Sequence, residues 1–213
     1  IASDGKRNVA GPVEFSFHLD TVGLPAPTDI ELDSASDTGS NTNDGITKDN
    51  TPTIHGDAAS GSLIQILSGT ELVGQTTANS PWSITTAPLD DGEQELTVLA
   101  FDPAGNPSTS AQITLHIDAT VPAAPTGLRL TAATDTGSSQ TDGITKNKAP
   151  TLVGTAEAGT KVSILFDEQV VGTVDGGSWQ FTPGEFSLSD GLVTITVTAE
   201  DAAGNVSPVS AVF

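Results

Sequence analysis

The chain has 213 residues, with 27 Asp plus Glu against 7 Lys plus Arg, and its formal net charge is -20. Such a surface repels nucleic acid and anionic membranes, so neither is an expected partner. The hydrophobic fraction of 36% excludes a disordered acidic tail, 22 Gly and 13 Pro indicate many turns, and the lack of Cys excludes disulfides and thiolate metal sites.

Targeting and membrane signals are missing from the sequence. No apolar run approaches the roughly 20 residues of a membrane helix, and the chain has neither an initial Met nor a charged and then apolar leader. We therefore expect direct membrane insertion to be absent, and the sequence to be an internal piece of a longer protein.

The first elements are the last strand and linker of a preceding repeat, which we assign to residues 1–22. Four residues correspond, in strand character and with the final Asp at an offset of 98, to four later ones: Phe15, Phe17, Leu19 and Asp20 to Ile113, Leu115, Ile117 and Asp118. A lone strand buries almost nothing. We predict that residues 13–20 pair with an edge strand of another chain or pack on the repeat that follows.

Two full repeats follow, unit one over residues 23–119 and unit two over residues 120–213. The sequence Asp-Thr-Gly-Ser, then Asp-Gly-Ile-Thr-Lys, occurs at residues 37–48 and again at 135–146, 98 positions later. We call these two segments the acidic loops. A period of that length fits one small β domain rather than a solenoid repeat.

Period-two alternation predicts seven short strands in each unit, separated by Gly, Asp and Pro turns. The inward residues of unit one are Ile30, Leu32, Ile54, Ile64, Ile66, Leu72, Trp82, Ile84, Leu96, Val98, Ala100, Ile113, Leu115 and Ile117. Those of unit two are Leu128, Leu130, Leu152, Val162, Ile164, Val170, Trp179, Phe181, Ile195, Val197, Ala199 and Val212. The fold class is all-β, as tandem seven-stranded immunoglobulin-like sandwiches in an extended array.

Several motifs resemble the bacterial immunoglobulin-like repeats of giant surface adhesins secreted by type I systems. They are Asp-Thr-Gly-Ser with Asp-Gly-Ile-Thr, Pro-Thr-(Ile/Leu)-x-Gly, the Trp of the fifth strand, Ala-x-Asp-x-Ala-Gly-Asn-x-Ser, and Ile-Asp-x-Thr-x-Pro at residues 117–122. The resemblance covers nearly the whole chain. It implies a secreted, cell-surface rod in which calcium ions stiffen the junctions, while other domains attach to a host surface or matrix.

Sandwich topology predicts where carboxylates gather. Loops one and five share one end of a unit, and loops two and six share the end next to the preceding linker. The predicted Ca2+ ligands are Asp37, Asp44 and Asp91 in unit one, Asp135, Asp142 and Asp190 in unit two, Asp20, Asp57 and Asp102 at the first linker, and Asp118, Glu157 and Asp201 at the middle junction. Calcium takes about six to eight oxygen ligands.

The acidic loops are predicted to form an ion site of their own, distinct from the junction around Asp118. We expect Asp102, Asp118 and Asp201 to contribute most to rigidity. The alternative for any single Asp is turn chemistry, because Asp before Gly or Thr caps backbone amides. Neither an EF-hand loop nor a glycine-rich nonapeptide occurs.

Other polar and aromatic residues have plainer interpretations. His18 and His116 are interpreted as solvated residues on an outward strand face, with a transition-metal site as the alternative. Trp82 and Trp179 are interpreted as core residues rather than sugar platforms. Lys48 and Lys146 are expected to pair with the neighbouring acidic residues.

The sequence favours a calcium-stiffened spacer of an adhesin, whose partners are neighbouring repeats of the same chain. The alternative is a module that binds glycans or a host protein, but only 4% of the residues are aromatic and the loops hold almost none. No nucleophile with a base and no His pair occurs, so we expect no enzymatic activity.

Overall fold

The computed structural model describes residues 14–184 and 190–210. The described residues form β-strands and connecting loops, and none of them lies in a helix that is long and apolar enough to span a bilayer. The strands of unit one are β1 (Thr28–Leu32), β2 (Ile46–Thr47), β3 (Thr53–Asp57), β4 (Leu63–Ser68), β5 (Glu71–Thr77), β6 (Trp82–Thr85), β7 (Gly92–Phe101) and β8 (Ala111–Ile117). Those of unit two are β9 (Thr126–Leu130), β10 (Leu152–Phe166), β11 (Gln169–Phe181) and β12 (Ile195–Glu200).

Unit one is a sandwich of two sheets. One has the strand order β1-β3-β6, the other β2-β8-β7-β4-β5, and all pairs are antiparallel except β2 with β8. The alternating apolar residues of both sheets face one another and are buried. Each buried aliphatic side chain contributes about 1.5 to 3 kcal/mol to the stability of the fold relative to an exposed one. Because the chain has no Cys, this apolar layer and not a disulfide holds the two sheets together.

The connection between β1 and β3 crosses from one sheet to the other. It contains the short strand β2, where Ile46 lies opposite His116 and Thr47 opposite Ile117. The backbone N–H groups of His116 and Asp118 donate to the carbonyls of Gly45 and Thr47, both at 2.8 Å. The acidic loop is therefore fixed to the last strand of its own unit, beside the linker.

The described residues of unit two form four strands in one hydrogen-bonded sheet, in which β10 pairs with β9, β11 and β12. The prediction of seven short strands is wrong for these residues, because β10 and β11 each run through two strands that were predicted as separate. β10 pairs with β9 through its first half and with β12 through its second half, and a register shift separates Ala156 from Lys161. Ser210 donates its backbone N–H to the carbonyl of Val197, at 2.9 Å, which places it where Ala111 lies in unit one. Val212, predicted to face inward, lies outside the described residues.

The alternation pattern is correct for most core positions and wrong at two. Leu72 and Val170 are 46% and 55% exposed, while Val73 is buried. The cause is a bulge: Ile66 pairs with Gly74 and Leu67 with Leu72, so Val73 has no partner and turns inward. The equivalent shift falls between Ile164 and Leu165 in unit two.

The two tryptophans are core residues, as predicted. Trp82 is 2% and Trp179 5% exposed. Each ring covers a glycine of a neighbouring strand, because a Cβ on Gly56 would lie 2.8 Å from Cζ2 of Trp82 and one on Gly154 would meet the ring of Trp179 even more closely. This contact explains the glycine of the Pro-Thr-(Ile/Leu)-x-Gly motif.

The apolar side chains of the segment before unit one do not pack on that unit. Residues 14–20 form no strand, and Phe15, Phe17 and Leu19 are 75% to 86% exposed. Packing on unit one, one of the two predicted outcomes, is therefore wrong for these residues, and Val13 lies outside the described part. Pairing with another chain stays a prediction.

Candidate junction and cation sites

Each unit has a turn after its sixth predicted strand, at residues 102–106 and 201–205, which we call the Asn turns. In the first, Asp102 Oδ1 accepts the backbone N–H groups of Ala104 (2.8 Å) and Asn106 (2.9 Å), and Oδ2 accepts the Asn106 amide (2.8 Å). The side-chain and backbone hydrogen bonds from Asn106 lower the pKa of the Asp102 carboxyl. The Asp102 carboxylate therefore caps backbone amides of its own turn, which is the alternative to calcium binding that the sequence analysis gave for a single Asp.

The second Asn turn has the same construction, and in both turns the asparagine reaches the preceding linker. Asn205 donates to both carboxylate oxygens of Asp201 at 2.9 and 3.0 Å. The amide of Asn106 also donates to the Asp20 carbonyl at 3.1 Å, and that of Asn205 to the Asp118 carbonyl at 2.7 Å. The asparagines were missed as functional residues, although their place in the repeated Asp-x-Ala-Gly-Asn motif signalled them.

The carboxylates of the two linkers already accept hydrogen bonds from backbone N–H groups of the same linkers. Oδ1 of Asp118 accepts the N–H of Thr120 at 3.1 Å, and Oδ1 of Asp20 accepts the N–H of Val22 at 3.1 Å. Asp91 also holds the linker, because its two oxygens accept the Ala119 N–H (3.3 Å) and the Thr120 hydroxyl (2.9 Å). Three of the predicted calcium ligands, Asp20, Asp91 and Asp118, thus accept hydrogen bonds from linker residues.

The remaining predicted ligands are dispersed. Asp57 accepts the Ser80 hydroxyl, Glu157 is exposed, and Asp190 is exposed on unit two. Within residues 14–184 and 190–210, no three Asp, Glu or His side chains are grouped closely enough to hold a metal ion together. The predicted pair Asp37 and Asp44 does interact, as does Asp135 with the loop that carries Asp142.

The acidic loops contain the most unusual carboxylates of the described chain. Asp37 is 5% and Asp135 is 2% exposed. Oδ2 of Asp37 accepts the N–H of Gly45 at 3.4 Å, and Oδ2 of Asp135 accepts the N–H of Gly143 at 3.2 Å. The buried Oδ1 of each aspartate has no hydrogen-bond partner. Burial raises the pKa of the Asp37 carboxyl, the Gly45 hydrogen bond opposes that rise, and the charge of Asp44 adds to it.

A hard cation fits this environment on chemical grounds. A buried carboxylate oxygen without a donor costs free energy, and oxygen-rich loops are what calcium selects. Asp37 with Asp44 and Asp135 with Asp142 are the residues that fit such an ion. Asp102 and Asp201 fit it less well, since their oxygens already accept hydrogen bonds.

Both acidic loops are held by the same internal hydrogen bonds. In unit one the Thr47 hydroxyl donates to the Ser36 carbonyl at 2.5 Å, and the Lys48 N–H donates to Thr38 Oγ1 at 2.9 Å. In unit two the corresponding distances, from Thr145 to Thr134 and from Lys146 to Thr136, are 2.6 and 2.9 Å. The repeated threonines therefore fix the shape of the loop.

The acidic loop of unit one contacts the Asn turn of unit two. The Thr38 hydroxyl donates to the Ala203 carbonyl at 2.6 Å, and Lys48 Nζ donates to the Gly204 carbonyl at 2.7 Å. Gly39 has φ +92°, and a Cβ there would overlap the Ala202 carbonyl. Ordinary residues cannot approach this closely, so the glycine of Asp-Thr-Gly-Ser is needed at the contact.

This contact corrects two predictions. The acidic loop of unit one is not separate from the middle junction but forms one side of it, because the loop and the linker meet the same turn. Lys48 donates to a carbonyl of unit two, and among the described residues the one ion pair within 4.0 Å joins His55 to Glu31, at 3.9 Å. His18 and His116 are exposed, as predicted.

The Asn turns differ in burial as a result. Ala203 is 0% and Asn205 6% exposed, and Gly204 is buried. Their counterparts in unit one, Ala104 and Gly105, are exposed.

Sequence comparison agrees with the two-unit architecture. The profile of the family described as "Bacterial Ig-like domain" matches residues 23–119 and 120–213. The chain belongs to the bacterial Ig-like domain family. A search of curated protein sequences returned no match.

One solved structure supports the fold of these bacterial Ig-like units, and two more are reported as similarities only. The fibronectin(III)-like modules of Clostridium thermocellum CbhA share 16% identity, with a TM-score of 0.50 over 84% of this chain and 90% of that one. A bacterial ice-binding adhesin of 1.5 MDa shares 20% identity, with a TM-score of 0.38 over 89% and 63%. The BSP domain of a biofilm associated protein shares 18%, with a TM-score of 0.29 over 79% and 28%.

Proposed function

We propose that the chain is a structural spacer of a large bacterial surface adhesin, in which consecutive Ig-like units are held at a fixed angle. The observation that carries this proposal is the contact of the unit-one acidic loop with the unit-two Asn turn. A flexible tether would leave both surfaces solvated, whereas here Ala203, Gly204 and Asn205 are buried. The proposal places the protein outside the cell and assigns these units no catalytic activity.

Three kinds of contact would hold the angle. Thr38 and Lys48 join the two units side chain to backbone, Asn205 fastens the linker carbonyl, and Asp91 fastens the linker amide. Each neutral hydrogen bond adds only about 0.5 to 1.5 kcal/mol. Because the short linker already keeps the two surfaces together, these small contributions suffice to order the junction.

Calcium enters the proposal at the acidic loops. The residues that would hold it are Asp37 with Asp44 and Asp135 with Asp142, where one buried carboxylate oxygen lacks a donor. When bound, the ion would neutralise carboxylates that repel one another. Since Thr38 and Lys48 flank the same loop, an ion that orders the loop would also support the junction, and its stabilisation would grow with the logarithm of calcium concentration above the dissociation constant.

Neighbouring repeats of the same chain are the proposed partners of this segment. Adhesion to a host surface or matrix, including biofilm attachment, is assigned to other domains of the parent protein. The net charge of -20 opposes the close approach of like-charged molecules and disfavours contact with nucleic acid or anionic bilayers.

The test measures the distance between the two units. The chain has no Cys, so spin labels on the double variant Gln75→Cys and Thr173→Cys report one distance between two exposed edge strands. We expect a narrow distribution in chelator that calcium narrows further. Lys48→Met should broaden it, while Lys146→Met, on the acidic loop of unit two, should leave it unchanged. A broad distribution in the parent chain, with or without calcium, would refute the rigid spacer.

A further inference from the structure

The contact between the units buries turn residues that both units share and leaves exposed those that differ. The Asn turn and the two residues after it read Asp-Pro-Ala-Gly-Asn-Pro-Ser at 102–108 and Asp-Ala-Ala-Gly-Asn-Val-Ser at 201–207. The two differing positions of unit two, Ala202 and Val206, are exposed. The shared residues that the contact buries are Ala203, Gly204 and Asn205.

The acidic loop on the other side of the contact shows the same division. It differs from the acidic loop of unit two at residues 41–43, which are Asn-Thr-Asn where residues 139–141 are Ser-Gln-Thr. All three differing residues are exposed in unit one. The residues that meet unit two, Thr38, Gly39 and Lys48, have the same letters in both loops.

The contact recognises main-chain atoms of the turn. The Thr38 hydroxyl and the Lys48 ammonium donate to backbone carbonyls of unit two. Gly39 and Gly204 approach so closely that a Cβ on Gly204 would lie 2.8 Å from the Cα of Gly39. Every residue has a carbonyl, so these contacts select a backbone shape with glycine at one position. An interface formed by side chains in pockets would instead require matching residues on both partners.

The turn of unit one has the same backbone shape as that of unit two. Gly105 has φ +88° and Gly204 has φ +85°. In both turns the backbone N–H of the asparagine donates to the aspartate at 2.9 Å, and the asparagine amide donates to the carbonyl of a linker aspartate. Pro103 and Pro107 therefore fit this shape as well as Ala202 and Val206 do.

We propose that the acidic loop and linker of unit one accept, as the next unit, any Ig-like unit with an Asp-x-Ala-Gly-Asn-x-Ser turn, a second copy of unit one included. The inference rests on the proposed spacer and adds the kind of partner that its junction accepts. Units of this kind can be exchanged or duplicated without a change of the angle between neighbours. The spacer can thereby change length while its junctions stay the same.

Exchange of the turn within the full chain is the first test. In the spin-labelled chain, Ala202→Pro with Val206→Pro gives unit two the turn of unit one. We expect the mean distance and the width of the distribution to stay those of the parent chain. If the parent distribution is narrow and that of the exchanged chain is several-fold broader, this proposal is overturned while the rigid spacer stands. A broad distribution in the parent chain would overturn both.

Exchange of the loop extends the test to the other surface. The triple change Asn41→Ser, Thr42→Gln and Asn43→Thr gives the acidic loop of unit one the letters of unit two. We expect the distance distribution to stay unchanged, alone and together with the exchanged turn. A shifted or broadened distribution in the triple variant would show that the junction depends on side chains particular to unit one, against the proposal.

A glycine pair tests the backbone contact itself. Gly204→Ala places a Cβ against the backbone of Gly39 and should broaden the distribution several-fold. Gly105→Ala carries nearly the same φ, but a Cβ there meets nothing within 4 Å, so it should leave the distribution unchanged. Tryptophan emission confirms that each variant is folded, and the two proline changes are measured singly if the pair unfolds unit two. An unchanged distribution in Gly204→Ala would overturn recognition through the backbone.

Discussion

The two acidic loops have nearly the same sequence and the same internal hydrogen bonds, yet the first is docked on the other unit and the second has no such contact with the part of the chain that the structure describes. Thr38 and Lys48 donate to unit two, whereas the corresponding Lys146 is exposed. Since the loop has one shape in both situations, docking does not create it. The threonine and aspartate contacts form the surface in advance, which lowers the entropy cost of joining two units.

Substitution of the glycine in Asp-Thr-Gly-Ser separates the effect on the stability of the acidic loop from the effect on the junction between units, and its expected effect is the largest. Gly39→Ala forces a Cβ into the Ala202 carbonyl and an L-residue to φ +92°; Gly137→Ala meets only the backbone strain, at φ +122°. Both should lose about 1 to 3 kcal/mol of unit stability. Only Gly39→Ala should also broaden the spin-label distance between units.

The control for this comparison is the unfolding of each unit followed through its own tryptophan. In a Trp179→Phe background the buried Trp82 reports unit one, and in a Trp82→Phe background the buried Trp179 reports unit two. If Gly39→Ala and Gly137→Ala change the inter-unit distance equally, the close approach of Gly39 to Ala202 does not hold the junction.

The buried aspartates distinguish an ion site from turn chemistry. Without calcium, Asp37→Asn should raise the stability of unit one by roughly 1 kcal/mol, because it removes a buried charge with an unpartnered oxygen. Asp135→Asn should do the same for unit two. Each single variant should bind one calcium ion fewer than the parent chain, and the double variant two fewer, measured by titration calorimetry.

Two outcomes of that titration would count against the assignment. Unchanged stoichiometry in the double variant would place any calcium elsewhere, with Asp118 and Asp201 the next candidates. Loss of stability in Asp37→Asn without calcium would mean that the charge of Asp37 supports the loop through its Gly45 contact.

Sequence predicted the sandwich better than the junction, for a physical reason. Alternation records which side of a strand faces the core, and among the described residues it failed only where a bulge adds a residue, as at Val73. The turn asparagines and Lys48 act on backbone carbonyls of another segment. Every residue has a backbone carbonyl, so the sequence does not show which carbonyls accept these hydrogen bonds. The carboxylates were therefore chosen as site residues, although several of them only shape turns.

Acid titration gives the smallest expected effect, and it sets Asp102 against Asp37 within one unit. The pKa of Asp102 is lowered from its ordinary value of 3.8. Its ionised form therefore stabilises the folded state, fully above the unfolded pKa, and this contribution is lost as pH falls from about 3.8 through the lower folded value. Asp37 has the opposite sign: its pKa is raised, so ionisation costs stability as pH rises from 3.8 through the folded value.

Urea unfolding in chelator between pH 7 and pH 3 separates these contributions. The deficit of Asp102→Asn relative to the parent chain should shrink only below about pH 3.8, where Asp102 itself becomes protonated in the unfolded state. As pH falls, the stability gain of Asp37→Asn should begin to shrink at a higher pH than the deficit of Asp102→Asn, because the folded Asp37 carboxyl takes up its proton above pH 3.8. Both oxygens of Asp102 accept hydrogen bonds, whereas Oδ1 of Asp37 accepts none. Coincident profiles would therefore mean that burial of Asp37 has no electrostatic consequence, and that the loop does not hold its carboxylate ready for a cation.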